Sequence, residues 1–450
     1  MKKSLVGAGV LGAAGLAAAA AGLTRRSGAH PRSGRTVPGA PRVIVLGAGF
    51  GGLNAAKALA SQRGDSELDV LLVDRYNYHL FTPILYQVAT GGVGPDNIAH
   101  PVRYVARAYG FGFQESLVER VALDERCVHT DDGPLHYDQL IIALGSVTNF
   151  FGLADVQEHS LPLKTLSDGV KIRNRILDAF ERADVEEDDD RRRALLTFVV
   201  VGAGYTGVEL VTSIRDLITT VLLKDYPRIV PAEIRVLLVE AIDKVMAGFD
   251  PFLSETAVKT MRSKGVEILL STPVTSVEPE GILTRDGELI PSATVVWAAG
   301  VRANGLVDSL PGERGRDGRL AVNEHLQIEG RPEVYVVGDC AAYKPEGGPL
   351  PLPANAPVAI AQGKTAAANV LHSLRGEPLE SLRYKREGQL VSLGRSNAVA
   401  DLRGIKLTGL LGWLAWRLVY VSKLMGAKNR LGVLLDWAFN VFNKRQTSRL

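Results

Sequence analysis

The chain has 450 residues, of which 46% are hydrophobic and 22% charged, with a formal net charge of +3. That composition excludes a disordered polymer and provides enough apolar residues for two or three cores. So small a charge gives no sign of a nucleic-acid partner, and two distant cysteines, Cys127 and Cys340, outside any CxxC, argue against a disulfide framework, a zinc site and a dithiol centre.

Lys2 and Lys3 precede an apolar run of about 19 residues, 5–23, near the lower length of a membrane span. Arg25, Arg26, Arg32 and Arg35 follow it. The heavier positive charge on that side would leave the rest of the chain in the cytoplasm. The run therefore reads as a membrane anchor or span. A cleaved signal peptide and an unstructured tail are the alternatives. Residues 25–40 read as a flexible linker.

Residues 41–74, PRVIVLGAGFGGLNAAKALASQRGDSELDVLLVD, hold the first strong pattern. An apolar run at 43–46 predicts a buried parallel strand. Gly47, Gly49 and Gly52 follow as GxGxxG, then a helical pattern, then a second buried strand ending in Asp74. The first glycine makes the tight turn, the second lets backbone approach a pyrophosphate, and the third lets helix pack on strand. The helix N-terminus offers N–H groups to phosphates, and Asp74 can accept from a ribose diol. Strand, glycines, helix, strand and acid in this order predict a dinucleotide site.

Residues 76–97 are aromatic and rich in Gly and Pro, and predict a long ordered segment. His79 within them reads as structural. Short strands are predicted at 114–123 and 127–130, with a turn at Asp132-Gly133. LIIALGS at 140–146 predicts a strand delivering Gly145 to a cofactor. The mixed charges of 181–193 predict a solvated helix end and loop.

The opening pattern then returns. A strand at 196–201 leads to Gly202, Gly204 and Gly207, a helix carrying Glu209, and a strand ending in Glu240. Two such units predict two nucleotides held together. A terminal Glu accepts from a ribose 2′-hydroxyl and repels a 2′-phosphate, which favours NAD over NADP. Further strands at 294–300 and 334–339 end in glycine, the second in Gly338-Asp339.

These pieces resemble the flavoprotein reductases with two dinucleotide-binding domains, and among them the type II NADH:quinone oxidoreductases. The resemblance rests on YNYHLFTPILYQVATGG (76–92), GAGYTGVEL (202–210), VVWAAGVRA (295–303), VVGDCA (336–341), NAPVAIAQG (355–363) and SKLMGAKNRLGVLLDW (422–437). It implies an α/β fold of two Rossmann-like domains with a C-terminal membrane-associated helical segment. The implied divisions are an anchor or signal with its linker at 1–40, an FAD-binding domain at 41–160 and 300–385, an NADH-binding domain at 161–299, and a membrane region at 386–450. By this resemblance Gly47, Gly49, Gly52, Asp74, Gly145, Gly338 and Asp339 serve FAD, and Gly202, Gly204, Gly207 and Glu240 serve NADH. Glu209 would face the flavin–nicotinamide contact, and Gln362, with Arg395 as a weaker candidate, would face a quinone, menaquinone or ubiquinone. The family usually carries further glutamines where Pro357 and Ala361 stand, so the identity of the acceptor stays open.

No metal-ligand cluster and no nucleophile with a paired base is evident. A sulfide:quinone reductase, a disulfide reductase and a non-catalytic redox-sensing flavoprotein are the rival readings. The first two need well-placed cysteines, which this sequence lacks.

From Lys406 on, eight basic residues stand against one acid, Asp436, between stretches rich in Leu, Trp and Phe. Basic amphipathic helices of this kind lie in a membrane interface. The alternative is a helix pair covering an oligomer interface, such as that of a homodimer.

Overall fold

The computed structural model describes residues 39–62, 68–386, 388–441, 445 and 447–449. The N-terminal run, its linker up to residue 38, and Phe442 at the end of the last apolar stretch lie outside them.

Val43, Ile44, Val45 and Leu46 are fully buried on the strand Arg42–Leu46. Both faces of that strand are covered, as continuous apolar runs require. Each large aliphatic side chain so buried contributes roughly 1.5–3 kcal/mol. The strand pairs in parallel with Asp69–Asp74 on one side and Gln139–Ile142 on the other. The whole sheet has six strands, in the order Gln327–Ile328, Arg331–Val336, Gln139–Ile142, Arg42–Leu46, Asp69–Asp74, Gly112–Glu115. Two separate stretches of chain build it, because Arg331–Val336 returns to lie beside Gln139–Ile142.

The intervening chain builds a second sheet of five parallel strands: Leu161–Pro162, Thr294–Trp297, Thr197–Val201, Arg235–Val239 and Glu267–Leu269. In each sheet the glycine turn sits at the C-terminal end of an inner strand, where open α/β sheets bind ligands. The helix Phe50–Gln62 leaves the first turn and Tyr205–Leu217 the second. The latter runs on into a π-helical turn, Ile218–Leu222, whose Ile218, Val221 and Leu222 are buried. The helix Ala356–Arg375 crosses Phe50–Gln62 very closely. A Cβ on Gly363 would lie 2.2 Å from the carbonyl oxygen of Gly51, so only glycine permits the crossing.

The charged segment 181–193 forms the end of helix Leu166–Val185 and the short helix Asp189–Leu195. It is not only solvated: Arg192 pairs with Glu233 at 2.6 Å.

Beyond residue 388 the chain forms a three-stranded antiparallel sheet that the sequence reading did not anticipate: Gln389–Ser392, Ala398–Leu402 and Ile405–Thr408. Its second hairpin turns on Arg403 and Gly404, both at positive φ (55° and 92°). That is the two-residue turn whose twist suits a hairpin. Helices Gly409–Lys423 and Ala427–Val441 follow. Trp416, Val433 and Trp437 point inward and are buried, while Leu411 and Leu418 are 66% and 75% exposed. No described helix is long and apolar enough to cross a membrane.

Asp436, the lone acid of this basic region, fastens the last helix to the first domain. Its Oδ2 accepts from the Gly94 N–H at 2.9 Å and from Asn97 Nδ2 at 2.7 Å. Replacing Asp436 with Ala leaves two donors facing a gap. The expected loss is about 1–3 kcal/mol, read as a lower urea midpoint.

Candidate functional site

A cleft of about 530 Å³ runs from the first glycine turn to the first turn of helix Tyr205–Leu217. Its walls include Gly47, Gly49, Asp74, Gly145, Gly338 and Asp339 from the first domain, and Thr206 and Glu209 from the second.

The glycines divide by what holds them. A Cβ on Gly52 would lie 1.9 Å from the Gly47 carbonyl oxygen, and one on Gly47 would lie 2.4 Å from that of Ala143. Gly207 and Gly202 repeat this, at 1.9 Å from Gly202 O and 2.5 Å from Ala299 Cα. Packing within the protein therefore accounts for the first and third glycine of each unit. Gly49 and Gly204 are different, because a Cβ there would meet nothing within 4 Å. Neither takes a positive φ. The space over them fits a pyrophosphate lying against bare backbone. Gly145, at φ 70°, likewise opens onto free space.

The two acids repeat one arrangement. Asp74 Oδ2 accepts from the Ala48 N–H at 2.6 Å and Oδ1 from the Tyr76 N–H at 2.8 Å. Glu240 Oε2 accepts from the Ala203 N–H at 2.6 Å and Oε1 from the Ile242 N–H at 3.2 Å. Each carboxylate thus ties its strand end to the residue between the first two glycines. Burial pushes the Asp74 carboxyl above its ordinary range, against the pull of its N–H donors. His79 reinforces the first loop from beneath. It is fully buried, its Nδ1 donates to the Ala48 carbonyl at 2.8 Å, and burial lowers its pKa to about 4. It is neutral and structural.

Glu209 sits where the two domains meet. Its Oε1 accepts from the Ser392 N–H at 3.0 Å. Burial raises its pKa to about 8, while Ser392 and Trp416 hold it back. The indole N–H of Trp416 comes near without an aligned hydrogen bond. Glu209 is therefore protonated at neutral pH. The buried Tyr86, another wall of the cleft, has its own pKa raised by burial and by Glu209.

The profile described as "Pyridine nucleotide-disulphide oxidoreductase" matches residues 41–363, and that described as "NDH2 C-terminal domain" matches 387–446. The type II NADH:quinone oxidoreductase Ndh of Mycobacterium tuberculosis is 36% identical over 423 residues, 90% of this chain and 89% of the relative. The chain belongs to the type II NADH:quinone oxidoreductase family. A second relative in it, from Staphylococcus saprophyticus, is 30% identical over 82% of this chain and 91% of its own. Among solved structures, NDH2 of Plasmodium falciparum in complex with NADH superposes with a TM-score of 0.83 at 20% identity, over 91% of this chain and 99% of that one. The sulfide:quinone oxidoreductase of Aquifex aeolicus reaches 0.70 at 17% identity, over 87% and 92%, a likeness of fold alone.

Within this family fold, two expectations need correction. Gln362 does not face the cleft. It is buried, and its Oε1 accepts from the Gly338 N–H at 2.7 Å. The helix turns Ala356 and Ala359 to the cleft and Gln362 to the turn behind it. Gln362 thus positions Gly338-Asp339. Gln362→Ala is expected to cost about 1–3 kcal/mol by orphaning that N–H. It should also loosen flavin retention, measured as flavin content after dialysis. Arg395 is also elsewhere. Its guanidinium donates to the Val441 carbonyl at 2.8 Å and lines a separate pocket.

Three contributors escaped the sequence reading. Ser146 Oγ donates to Asp339 Oδ2 at 2.6 Å, and Lys164 Nζ donates to Ser146 Oγ at 2.6 Å, with 3.6 Å to Asp339. Thr206 shares a helix face with Glu209. Ser146 follows the predicted Gly145 and was within reach; Lys164 has no local signature. Both cysteines are buried, and burial, with Asp339 nearby, pushes the Cys340 thiol up to about 12. Among the described residues no group of side chains could hold a metal ion.

Proposed function

We propose that this chain oxidises NADH and reduces a membrane quinone through FAD held in the cleft. One observation carries the reading most: the first turn of the second glycine unit, Thr206 and Glu209, forms a wall of the cleft that the first unit builds. The residues fit the cofactor, because Gly49 and Gly145 leave open the space that its pyrophosphate and ring system need. When bound, FAD supplies the hydride acceptance and electron release that no side chain here can provide.

The chain's own groups bind, orient and hold protons. Gly49 and the N-terminus of helix Phe50–Gln62 present backbone N–H groups to phosphate. Asp74 and Glu240 fix the two loops and present the remaining carboxylate lone pairs to ribose hydroxyls. Glu240 disfavours a 2′-phosphate, so NADH is the preferred donor. Asp339, held by Ser146 and Lys164, orients the polar middle of the cofactor. Glu209 holds a proton in a dry position beside the reacting centre, where quinone reduction consumes protons.

The quinone reaches the cleft from the membrane face. The exposed Leu410, Leu411, Leu414 and Leu418 with Leu431, Leu435 and Phe439 form that face, flanked by basic residues. Such a surface lies at the lipid interface without crossing it.

The test is a steady-state assay of the purified flavoprotein against a panel of menaquinone and ubiquinone analogues, with NADH and NADPH compared. Turnover with NADH and at least one quinone is expected. Oxidation of NADH with no quinone accepted would favour a redox-sensing flavoprotein.

A further inference from the structure

The loop after strand Ser146–Thr148 carries a residue that its backbone does not suit. The Leu153 N–H donates to the Phe150 carbonyl at 3.0 Å, which closes a four-residue turn with Phe151 and Gly152 at its centre. Both central residues take a positive φ, 55° and 78°. Such turns are usually filled by Asn, Asp or Gly, because a larger side chain there crowds its own backbone. Gly152 fits that rule and Phe151 breaks it. Core filling does not explain the ring, since Phe151 is 60% exposed. A strained residue that is also an exposed aromatic points to a role outside folding.

Asn149 fastens the turn to the second domain. Its N–H donates to the Gly300 carbonyl at 3.0 Å, and its own carbonyl accepts from the Trp297 indole N–H at 2.9 Å. Its Oδ1 accepts from the Phe151 N–H at 2.9 Å. The Phe151 ring meets that of Trp297 edge to face, with centroids 6.5 Å apart. A Cβ on Gly300 would lie 3.6 Å from Phe151 Cζ, so the ring overhangs Gly300.

Gly300 follows strand Thr294–Trp297, which flanks Thr197–Val201 on the side opposite Arg235–Val239. Ala299 backs the second glycine turn, and Val301 lines the cleft together with Thr206 and Glu209. Residues 299–301 therefore lead from the phosphate turn to the cleft. Glu240, at the end of Arg235–Val239, marks the adenosine side. A dinucleotide crossing Gly204 from Glu240 toward Glu209 carries its nicotinamide riboside past Gly300 and the overhanging ring. We propose that Phe151 is a substrate-contacting residue whose ring packs on the nicotinamide riboside of NADH and holds that half toward the cleft. The proposal rests on the reading of the second glycine unit as the NADH site and adds to it the side chain that positions the reacting half. An aromatic face supplies apolar contact there and keeps water from that side of the riboside.

The flavin-loaded full chain is compared with Phe151→Asn, which suits the turn, and Phe151→Tyr, which keeps the ring. Calorimetric titration measures affinity for NAD⁺ and for ADP, which lacks the nicotinamide riboside. Thermal midpoints and the steady-state KM for NADH are read on the same samples. Phe151→Asn is expected to weaken NAD⁺ and to raise the KM by about tenfold, through the loss of one aromatic contact. Its ADP affinity should stay at the wild-type value, and its midpoint should hold or rise as the turn relaxes. Phe151→Tyr should match the wild type throughout. A merely structural Phe151 gives the reverse, a lower midpoint with NAD⁺ affinity intact. Wild-type NAD⁺ affinity in Phe151→Asn, or equal weakening of NAD⁺ and ADP, would overturn the proposal. If Phe151→Asn does not fold, Phe151→Gly, which takes a positive φ freely, replaces it in the same comparison. NAD⁺ binding that no variant alters removes the role of Phe151 alone, whereas a wild type that binds neither NAD⁺ nor ADP removes the NADH reading itself.

Discussion

Gly49→Val is expected to give a folded protein that carries no flavin. A Cβ at this position meets no protein atom within 4 Å, and the backbone there is not in the left-handed region. The fold therefore tolerates the side chain, with a stability change within about 0.5–1 kcal/mol. The methyl groups instead fill the space against which a pyrophosphate must lie. Absorbance and extracted flavin per chain measure the result. Gly204→Val is the matched experiment in the second unit, where open space again faces the glycine. It should retain flavin and lose NADH affinity, with KM raised by about a hundredfold or more, the cost of about 3 kcal/mol of lost phosphate contact. By contrast, Gly52→Ala and Gly207→Ala each place a Cβ 1.9 Å from a carbonyl oxygen and should fail to fold. The difference between the second and third glycines separates a ligand requirement from a packing requirement.

Glu209→Gln should lower turnover with quinone by about a hundred- to ten-thousand-fold while NADH still reduces the flavin. The amide keeps the acceptor for the Ser392 N–H and keeps the site neutral, but it has no proton to give. The pH profile carries the diagnostic sign. With a pKa of about 8 the carboxyl holds its proton below that pH and loses it above. Quinone turnover should therefore fall as pH rises through about 8, and that limb should vanish in the variant. Stability follows the same sign. The folded carboxyl binds a proton that an exposed glutamate, at 4.5, releases. Its contribution is fully present below pH 4.5 and is lost as pH rises toward 8. Thermal midpoints of wild type and variant across that range would show the wild type alone losing this contribution.

The features visible in the sequence are those that backbone sterics dictate. Gly47 and Gly52 could be assigned separate roles because a turn and a crossing each leave no room for a Cβ, whereas nothing in the protein crowds Gly49, whose role rests on the proposed ligand. Asp74 and Glu240 were legible because each ends a buried strand. What failed is what depends on helix phase or distant pairing. Gln362 was placed in the right segment, yet which way it points is set by the contact of Gly363 with Gly51, which no local pattern reveals. Lys164 meets Ser146 and Asp339 only through the joining of two sheets. The third sheet was hidden because Arg403 occupies a left-handed turn position that usually advertises itself with Asn or Asp. Trp413, Trp416 and Trp437 fall in stretches that read as interfacial, whereas Trp416 and Trp437 are buried and Arg417 stacks on Trp413 and Trp437.

The central claim is that one cleft joins a soluble hydride donor to a lipid-dissolved acceptor. Anaerobic stopped-flow mixing tests it most directly. The purified holoprotein is first mixed with NADH, and after the flavin absorbance has fallen it is mixed with a quinone analogue. The account predicts rapid loss of the flavin band, then its full return at a rate no slower than steady-state turnover. A band that never falls with NADH, or that falls and does not return with any quinone, would contradict it.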